Sequence, residues 1–328
     1  DYYDNIQDVA WSPTLGRYAV VGGSYGGLYA SANGVAWSTN GYMNLPLRAV
    51  TWIPSRSEFV AVGQSNSILR SSNGLSWYIY TPYVYDQRLE GIAYGNSRYA
   101  TVGSHGAMLT SPDGLNWDTR DSAWTYASLR ALLAFKGRLL AAGDAGQILT
   151  SPDGYFLYPG ASGVTNDLLG LATNGSMAVA VGREGRILTS ANGSNWTART
   201  SPVSVPLRDA IWFGSEFLAV GDSGTLVTST NGTNWAVRAS GVAWNIHGLS
   251  RNSNTVVAVG ATGRALVSTN GVNWTEYVVA GVTLTDITWD GARFHAAGYG
   301  TPVYASPDGS TWTPSVSHPA AYGAGLAW

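Results

Sequence analysis

The chain has 328 residues, a formal net charge of −2 and only 12% charged residues. It therefore lacks the basic field that nucleic acid binding requires, and no apolar run reaches the roughly 18 residues that span a membrane. The absence of Cys excludes disulfide bonds and thiolate metal sites. This composition fits a reduced compartment or an extracellular protein that is stable without disulfides.

A seven-residue motif, Ser-x-Asn/Asp-Gly-x-x-Trp, recurs at intervals of about 40 residues, and we call it the box. Before each box lies a Gly, and before that Gly an apolar stretch such as "DVAW", "AVTW" or "DITW". The fourth box has Leu157 in place of Trp. The boxes span residues 31–37, 71–77, 111–117, 151–157, 190–196, 229–235, 268–274 and 306–312.

Each repeat predicts four short strands, named A to D in chain order. In the second repeat they are Arg48–Trp52, Glu58–Gly63, Ser67–Ser71 and Leu75–Tyr80. Such runs are rich in Val, Ile, Tyr or Trp and are bounded by Gly, Asn, Pro or Ser. No segment shows a helical period. The repeats therefore predict an all-β fold, a β-propeller of eight four-stranded antiparallel blades in a single domain over residues 1–328.

The end of the chain leaves the number of blades open. Residues 323–328 resemble a further strand A. The chain either stops inside another repeat or uses this segment to close the propeller, in competition with the strand near Ile6–Trp11. Seven blades with an exchanged strand are the alternative to eight.

The box has an architectural explanation. Asn or Asp followed by Gly favours a tight turn with positive φ between strands C and D. The Ser and Asn/Asp side chains are expected to bond the backbone of that turn. The Trp is expected to anchor strand D against the next blade.

The box "SPDGLNW" at Ser111–Trp117 resembles the Asp-box, or bacterial neuraminidase repeat, of sialidase-like propellers. The longer repeat around it resembles Asp-box propeller repeats of secreted bacterial proteins and of phage tail and fibre proteins. The resemblance covers residues 9–312 and implies a fold that hosts many functions. Most boxes carry Asn instead of Asp, which a turn-making role tolerates.

Four variable residues follow the Gly of each repeat and are predicted to form the B–C loop, on the same face as the D–A loops. The few charged residues concentrate in the B–C loops, and aromatic residues occur in the D–A loops. Rigid rings beside polar groups favour a binding face, although such rings can instead pack on neighbouring blades. The predicted ligand-binding residues are Tyr85, His105, Trp124, Tyr126, Asp144, Arg183, Glu184, Arg186, Asp222, Trp244, His247 and Arg264.

A catalytic function is disfavoured. The sialidase resemblance implies an Arg triad, a Tyr–Glu pair, an acid Asp and usually an Arg-Ile-Pro segment, and no Arg-Ile-Pro occurs. A glycosidase needs two carboxylates at a defined separation. Glu184 with Asp144 or Asp222 is the pair to test, although Arg183 and Arg186 predict a local ion cluster around Glu184.

Other polar residues are predicted to be structural. Glu58 and Glu216 occupy equivalent A–B turns and are expected to be solvated. His295 is expected to be packed within strand B, and the four His residues lack metal-ligand spacing.

We therefore expect a non-enzymatic recognition or adhesion module without cofactor, located outside the cell, on its surface or on a virion. Its expected ligand is a cell-surface glycan or a surface protein, with neither nucleic acid binding nor membrane insertion. The first alternative is a structural subunit of a surface, fibre or phage tail assembly. The second is a sialidase-like glycoside hydrolase.

Overall fold

The computed structural model describes residues 6–22, 25–34, 36–80, 88–95, 97–119, 126–155, 158–298 and 303–314. These residues form eight four-stranded antiparallel sheets, in each of which neighbouring strands follow one another in sequence. The chain is therefore an eight-bladed β-propeller, as the repeats predict. The first strand, Ile6–Ser12, occupies the strand A position of blade 1. Residues 323–328 lie outside the described part of the chain.

The strands of blades 1 to 4 occur in the order A, B, C, D. Blade 1 contains β1 (Ile6–Ser12), β2 (Arg17–Gly22), β3 (Gly27–Ser31) and β4 (Ser38–Tyr42). Blade 2 contains β5 (Leu47–Ile53), β6 (Glu58–Gly63), β7 (Ile68–Ser71) and β8 (Tyr78–Tyr80). Blade 3 contains β9 (Leu89–Gly95), β10 (Arg98–Gly103), β11 (Met108–Ser111) and β12 (Asp118–Thr119). Blade 4 contains β13 (Leu129–Phe135), β14 (Arg138–Gly143), β15 (Ile148–Ser151) and β16 (Tyr158–Pro159).

Blades 5 to 8 repeat this arrangement. Blade 5 contains β17 (Leu168–Thr173), β18 (Ala178–Gly182), β19 (Ile187–Ser190) and β20 (Thr197–Ala198). Blade 6 contains β21 (Leu207–Phe213), β22 (Glu216–Gly221), β23 (Leu226–Ser229) and β24 (Ala236–Val237). Blade 7 contains β25 (Ile246–Arg251), β26 (Val256–Gly260), β27 (Arg264–Ser268) and β28 (Thr275–Val278). Blade 8 contains β29 (Leu284–Trp289), β30 (Phe294–Gly298), β31 (Tyr304–Ser306) and β32 (Thr313–Pro314).

The chain comprises two compact units, and each has its own hydrophobic core. The first unit contains residues 1–92, 249–269 and 275–328, and the second contains residues 93–248 and 270–274. A buried cluster around Phe59 and Leu47 lies in the first unit. A cluster around Phe217 and Leu207 lies in the second. Strand B is buried on both of its faces, as all six residues of Glu58–Gly63 in blade 2 are, which explains why it is almost continuously apolar.

The box turns have the geometry that the sequence predicts. In the fifth box the Gly193 N–H donates to Ser190 Oγ at 2.8 Å, and the N–H groups of Ser194 and Asn195 donate to Asn192 Oδ1 at 2.9 Å. Gly193 has a φ of +76°. Because this turn extends beyond the Gly, strand D starts later than predicted, at Tyr78 in blade 2 instead of Leu75.

The box Trp makes its aromatic contact inside its own blade. Trp235 lies 6.3 Å from the ring of Phe217, which is on strand B of the same blade. Its Nε1–H donates to the carbonyl of Gly232 in the box at 2.9 Å. Trp77 and Phe59 make the equivalent ring contact in blade 2, with centroids 6.3 Å apart. The Trp thus anchors strand D to its own strand B, where the sequence predicted an anchor against the next blade.

Candidate functional site: the B–C turn surface

The four variable residues of each repeat form a tight hairpin turn. In blade 5 the N–H of Arg186 donates to the carbonyl of Arg183 at 3.1 Å, and the two central residues, Glu184 and Gly185, have φ values of +56° and +67°. Positive φ at both central positions is the type I′ geometry, which matches the twist of the flanking strands. Equivalent turns occur at Gln64–Asn66, Ser104–Gly106, Asp144–Gly146, Arg183–Gly185, Asp222–Gly224 and Ala261–Gly263.

The D–A loops hold these turns in place. A Cβ atom added to Gly185 would lie 2.0 Å from the carbonyl oxygen of Val203, so only Gly fits there. In blade 6 the equivalent Gly224 lies in the same way against the carbonyl of Val242. The N–H of Ser223, in the turn, donates to Asn245 Oδ1 in the following D–A loop at 2.9 Å. The turns therefore present their variable side chains from a fixed backbone.

A β-bulge at the start of strand A adds a second set of side chains. The pairing of strands A and B shifts between Leu129 and Ala131 in blade 4, and between Leu207 and Asp209 in blade 6. The extra residues are Arg130 and Arg208. A bulge redirects the side chain of the extra residue, and both guanidinium groups reach the B–C turn of their own blade.

These two Arg residues hold the first acidic residue of the turn. Arg130 donates from Nε to Asp144 Oδ1 at 2.5 Å and from Nη2 to Asp144 Oδ2 at 3.0 Å. Arg208 makes the same two-pronged contact with Asp222, with Nη2 3.1 Å from Oδ2. Such fork-shaped pairs fix both partners geometrically. The carboxylates of Asp144 and Asp222 are therefore engaged within their own blades.

Blade 5 exchanges the two partners. Arg183 is in the turn, and its Nε donates at 2.9 Å to Asp167 Oδ2, just before strand A. Asp167 Oδ1 also accepts the N–H of Ala145, in the turn of blade 4, at 3.0 Å. That backbone hydrogen bond and the Arg183 guanidinium outweigh the effect of burial and hold the pKa of Asp167 below its usual value. Asp167 thus links the turns of blades 4 and 5 as an ionised carboxylate.

Glu184 contacts an amide and not the neighbouring Arg residues. Asn166 donates from Nδ2 to Glu184 Oε2 at 2.8 Å, and Asn166 Oδ1 accepts from Arg186 Nε at 3.1 Å. The predicted ion cluster of Glu184 with Arg183 and Arg186 is therefore wrong in its partners. Two Asn/Asp side chains of the D–A loop, at positions 166 and 167, separate the charges that the sequence places side by side.

We define the B–C turn surface by Arg130, Asp144, Asn166, Asp167, Arg183, Glu184, Arg186, Arg208 and Asp222. It carries four Arg and four acidic residues, so its formal charges balance. Several of its side chains remain open to solvent, with exposed fractions of 59% for Arg183 and 49% for Arg130. A charge-balanced, rigid and exposed surface favours a polar ligand without a strong net charge.

The other predicted ligand-binding residues have varied positions. His105 is exposed in the turn of blade 3 with a φ of +54°, and Tyr126 is 91% exposed in the D–A loop before blade 4. Trp244 and His247 are half-buried beside the turn of blade 6. Arg264 begins strand C of blade 7 and pairs with Glu276 at 3.4 Å. Tyr85 and Trp124 lie outside the described residues.

Arg130 and Arg208 belong to the surface but were missed in the sequence. Their signal is a repeated Leu-Arg dipeptide at the start of strand A, at 47–48, 129–130 and 207–208. Periodicity alone assigns such an Arg to an ordinary strand position. The bulge that redirects it is a feature of strand pairing, which the sequence pattern does not display.

Two predictions are wrong for the A–B side of the blades, which lies at the strand ends opposite the B–C turns. Glu58 is buried, not solvated, and its carboxylate accepts from Arg70 Nε at 2.8 Å. Glu216 pairs with Arg238, which also donates to the carbonyl of Gly271 at 2.9 Å. In both blades the carboxylate forms a structural ion pair with an Arg, whereas the sequence predicted a solvated carboxylate.

His295 is fully buried, as predicted, and belongs to a network between blades 8 and 1. Its Nε2 lies 2.5 Å from Asp290 Oδ2, which also accepts the hydroxyl of Tyr18. Burial alone would raise the pKa of Asp290, but His295, Tyr18 and the backbone of Arg293 outweigh it and hold that pKa below its usual value. Burial and the neighbouring Asp290 raise the pKa of Tyr18 above its usual value.

The described part of the chain lacks two other kinds of feature. No group of three or more His, Asp or Glu side chains there is placed to hold a metal ion. No described helix is long and apolar enough to cross a membrane.

Comparisons with known proteins identify the fold. The DUF6242 beta propeller domain family matches residues 165–287, which is less than half of the chain. A search of curated proteins gives no significant sequence match. Among solved structures, the Dos1 propeller is similar with a TM-score of 0.73 and 10% identity, covering 99% of this chain and 96% of that chain.

Two further structures are similar over most of their length. Sqt1 of Chaetomium thermophilum has a TM-score of 0.68 and 11% identity, with 97% of each chain covered. YCF48, solved bound to a D1 peptide, has a TM-score of 0.59 and 16% identity, covering 93% of this chain and 90% of that chain. At these identities the similarity establishes the architecture alone: the chain is a β-propeller domain that resembles the DUF6242 propeller family over residues 165–287.

Proposed function

We propose that this propeller is a non-catalytic recognition domain that binds a partner protein through the B–C turn surface. The observation that supports the proposal most directly is the engagement of each carboxylate of that surface by an Arg, by the Asn166 amide or by a backbone N–H. Fixed, paired polar groups on rigid turns are suited to binding with little ordering cost.

The same contacts argue against hydrolysis. A retaining or inverting glycosidase uses one carboxyl group with a raised pKa as its acid, opposite a second carboxylate. Asp144 and Asp222 are each held by a two-pronged Arg, and the pKa of Asp167 is lowered. Glu184, the carboxylate common to both candidate pairs, accepts a hydrogen bond from the Asn166 amide, so each of the three carboxylates already has a partner.

A protein partner is favoured over a glycan by the shape of the surface. Beside the turn of blade 6 there is a wide, open cleft of about 420 Å³, lined by residues such as Ser223, Thr225 and Ser240. Balanced charges and half-exposed Arg side chains suit a protein interface, where Arg is enriched. The structure of YCF48 with a D1 peptide shows that a propeller of this architecture binds a peptide.

A glycan is the second candidate, because Tyr126 is 91% exposed and offers a stacking surface next to the polar turns. The Asp-box resemblance and the low proportion of charged residues support a location outside the cell, on its surface or on a virion. We therefore propose that the protein functions at such a location. An assembly subunit would use the same surface against its neighbours.

The test is a comparison of the wild-type chain with the double variant Arg183→Ala/Glu184→Ala, which preserves net charge. Both are screened on immobilised surface-protein fractions and on a glycan array, with Ser215→Ala in an A–B hairpin as the control. We expect protein ligands that bind the wild type and Ser215→Ala to bind the double variant at least about 10-fold more weakly. Equal binding by all three chains would refute the role of this surface. Hits confined to the array and lost in the double variant would retain the surface and replace the protein with a glycan.

A further inference from the structure

Blade 2 has the strand bulge of blades 4 and 6 but not their acidic turn residue. The pairing of strands A and B shifts between Leu47 and Ala49, so Arg48 is the extra residue of this bulge. Arg130 and Arg208 have the same position in blades 4 and 6. Arg48 is therefore the blade 2 counterpart of two Arg residues that each bind a carboxylate.

Gln64 occupies the position in blade 2 that Asp222 occupies in blade 6. The Gln64 N–H donates to the carbonyl of Pro46 at 2.8 Å, and the Asp222 N–H donates to the carbonyl of Pro206 at 3.1 Å, each just before strand A. The two residues also follow the same register of strands A and B. Blade 2 thus keeps the backbone of the pair and carries a neutral amide where blade 6 carries the carboxylate.

The guanidinium group of Arg48 has no acidic partner in the part of the chain that the structure describes. Its Nη1 donates to Gln7 Oε1 at 3.0 Å, and Gln7 is 5% exposed. Its Nε is buried without an acceptor there. Its Nη2 also lacks an acceptor among the described residues but is not buried. A ligand in solution therefore reaches the guanidinium group at Nη2.

A charge in this position favours an anionic partner. Arg48 is half-buried, and a charge removed from water is costly unless it is paired and hydrogen-bonded. The neutral amide oxygen of Gln7 accepts a weaker hydrogen bond than a carboxylate oxygen would. The contact with Gln7 thus holds the Arg48 side chain in position and leaves its charge uncompensated.

The composition of the site favours a carboxylate over a phosphate. The turn Gln64–Asn66 carries no charged side chain, so it adds no second cation to Arg48. A phosphate group carries up to about two negative charges and is typically bound by a cluster of basic groups. One planar guanidinium group matches the single charge and the planar shape of a carboxylate. Blades 4 and 6 use this same pairing.

We infer that Arg48 and the B–C turn of blade 2 bind a carboxylate group, carried either by a small organic acid or by an acidic side chain of a protein. Neither Arg48 nor Gln64 is among the residues that define the B–C turn surface. The binding is measured on the isolated chain, without the partner of the proposed function. A failure of this inference and a failure of the proposed function are therefore distinguishable.

The experiment follows the Nε–H signals of the Arg side chains by two-dimensional NMR while sodium acetate replaces sodium chloride at constant ionic strength. Arg48→Gln and Arg208→Lys identify two of the signals by their loss. We expect a saturable shift of the Arg48 signal. The Arg208 signal is the internal control and should not shift, because Asp222 already binds that guanidinium group.

Substitutions in the turn separate charge from shape. Gln64→Asp supplies the internal carboxylate that blade 6 has, and it should weaken acetate binding at least about 10-fold, the effect of one charge-assisted hydrogen bond. Gln64→Asn has the same shape without the charge and should change the affinity less than about twofold. Ser65→Asp places the charge one residue further along the turn, where salt screens it, and should weaken binding about threefold or less.

Three results would overturn the inference: no saturable shift of the Arg48 signal, tighter binding of inorganic phosphate than of acetate, or equal effects of Gln64→Asp and Gln64→Asn. The phosphate comparison uses the wild-type chain and does not depend on the folding of a variant. Thermal unfolding of each variant is measured alongside.

A blocked Gly-Glu-Gly peptide, with blocked Gly-Gln-Gly as its control, distinguishes the two sources of the carboxylate. Tighter binding of the Glu peptide than of acetate indicates an acidic side chain of a protein. Tighter binding of acetate indicates a small organic acid. Equal binding of the Glu and Gln peptides, together with no binding of acetate, would contradict both sources.

Discussion

Arg130 binds both carboxylate oxygens of Asp144 through two nitrogens of its guanidinium group, with Nε 2.5 Å from Oδ1 and Nη2 3.0 Å from Oδ2. The pair joins a bulge in strand A to the B–C turn of the same blade. Arg208 and Asp222 repeat it in blade 6. The turn surface is thus built by strand pairing and hairpin geometry together, and its rigidity leads to specific predictions.

Gly185→Ala should destabilise the chain strongly. The new Cβ would lie 2.0 Å from the Val203 carbonyl oxygen, on a backbone with a φ of +67°. Left-handed backbone alone costs an ordinary residue about 1–2 kcal/mol, and the clash adds to it. We expect a loss of more than about 2 kcal/mol in the free energy of unfolding, measured by urea denaturation.

Gly214→Ala is the matched control for that substitution. Gly214 has a φ of +60°, but nothing lies within 4 Å of the position that a Cβ would take. It should lose only the backbone component of about 1–2 kcal/mol. If the two variants were equally stable, the contact with the D–A loop would not constrain the turn.

The box Asn should act through its side-chain oxygen alone. Asn192 Oδ1 accepts two backbone N–H groups, so Asn192→Asp should retain stability and Asn192→Ala should cost about 1 kcal/mol or more. Thermal denaturation of both variants measures the difference. Equal losses would indicate that the amide NH₂ group, and not the oxygen, is the important feature.

Removing Arg238 should cost more than removing Arg183. Arg238 is 24% exposed, holds Glu216 and donates to the Gly271 carbonyl, so Arg238→Ala leaves a half-buried carboxylate unpaired. The expected loss is about 1–3 kcal/mol. Arg183 and Asp167 form an exposed pair, for which the expected loss is below about 1 kcal/mol. Denaturant titration of both variants compares them, and the reverse order would contradict the assigned roles.

Stability should fall in acid partly because of Asp290. Its pKa is lower in the folded chain than the usual value of about 3.9. The ionised carboxylate therefore stabilises the fold above that usual value, and the contribution disappears as the pH falls through the folded-state pKa. Asp290→Asn should be less stable at pH 7 and show a shallower loss below about pH 5.

The control is Ser215→Ala, in the exposed A–B hairpin of blade 6, which removes no titratable group. It should retain the wild-type dependence of the unfolding free energy on pH. An acid limb unchanged by Asp290→Asn would show that the network with His295 and Tyr18 does not contribute to acid sensitivity.

The repeat predicts most of the fold because its signals are local. The predicted strand B of the second repeat, Glu58–Gly63, has the observed bounds. Strand A was predicted one residue short at each end, as Arg48–Trp52 instead of Leu47–Ile53. The start of strand D was misplaced because the hydrogen bonds of the box turn continue through Leu75 and Ser76.

The candidate sites are less predictable because they depend on contacts between repeats. The sequence locates the variable turns but does not identify the side chains that they bind. Asp167 lies in the loop between blades 4 and 5 and accepts a hydrogen bond from Arg183 in the turn of blade 5.

The most direct test of the recognition surface is site-specific cross-linking. A photoreactive amino acid is placed at position 184, in the exposed turn of blade 5, and separately at position 215, in the exposed A–B hairpin of blade 6. Each chain is incubated with surface proteins of the native source and irradiated. We expect a discrete cross-linked partner from position 184 and none from position 215. Cross-linking of the same partner from position 215 alone would contradict a binding role of the B–C turn surface.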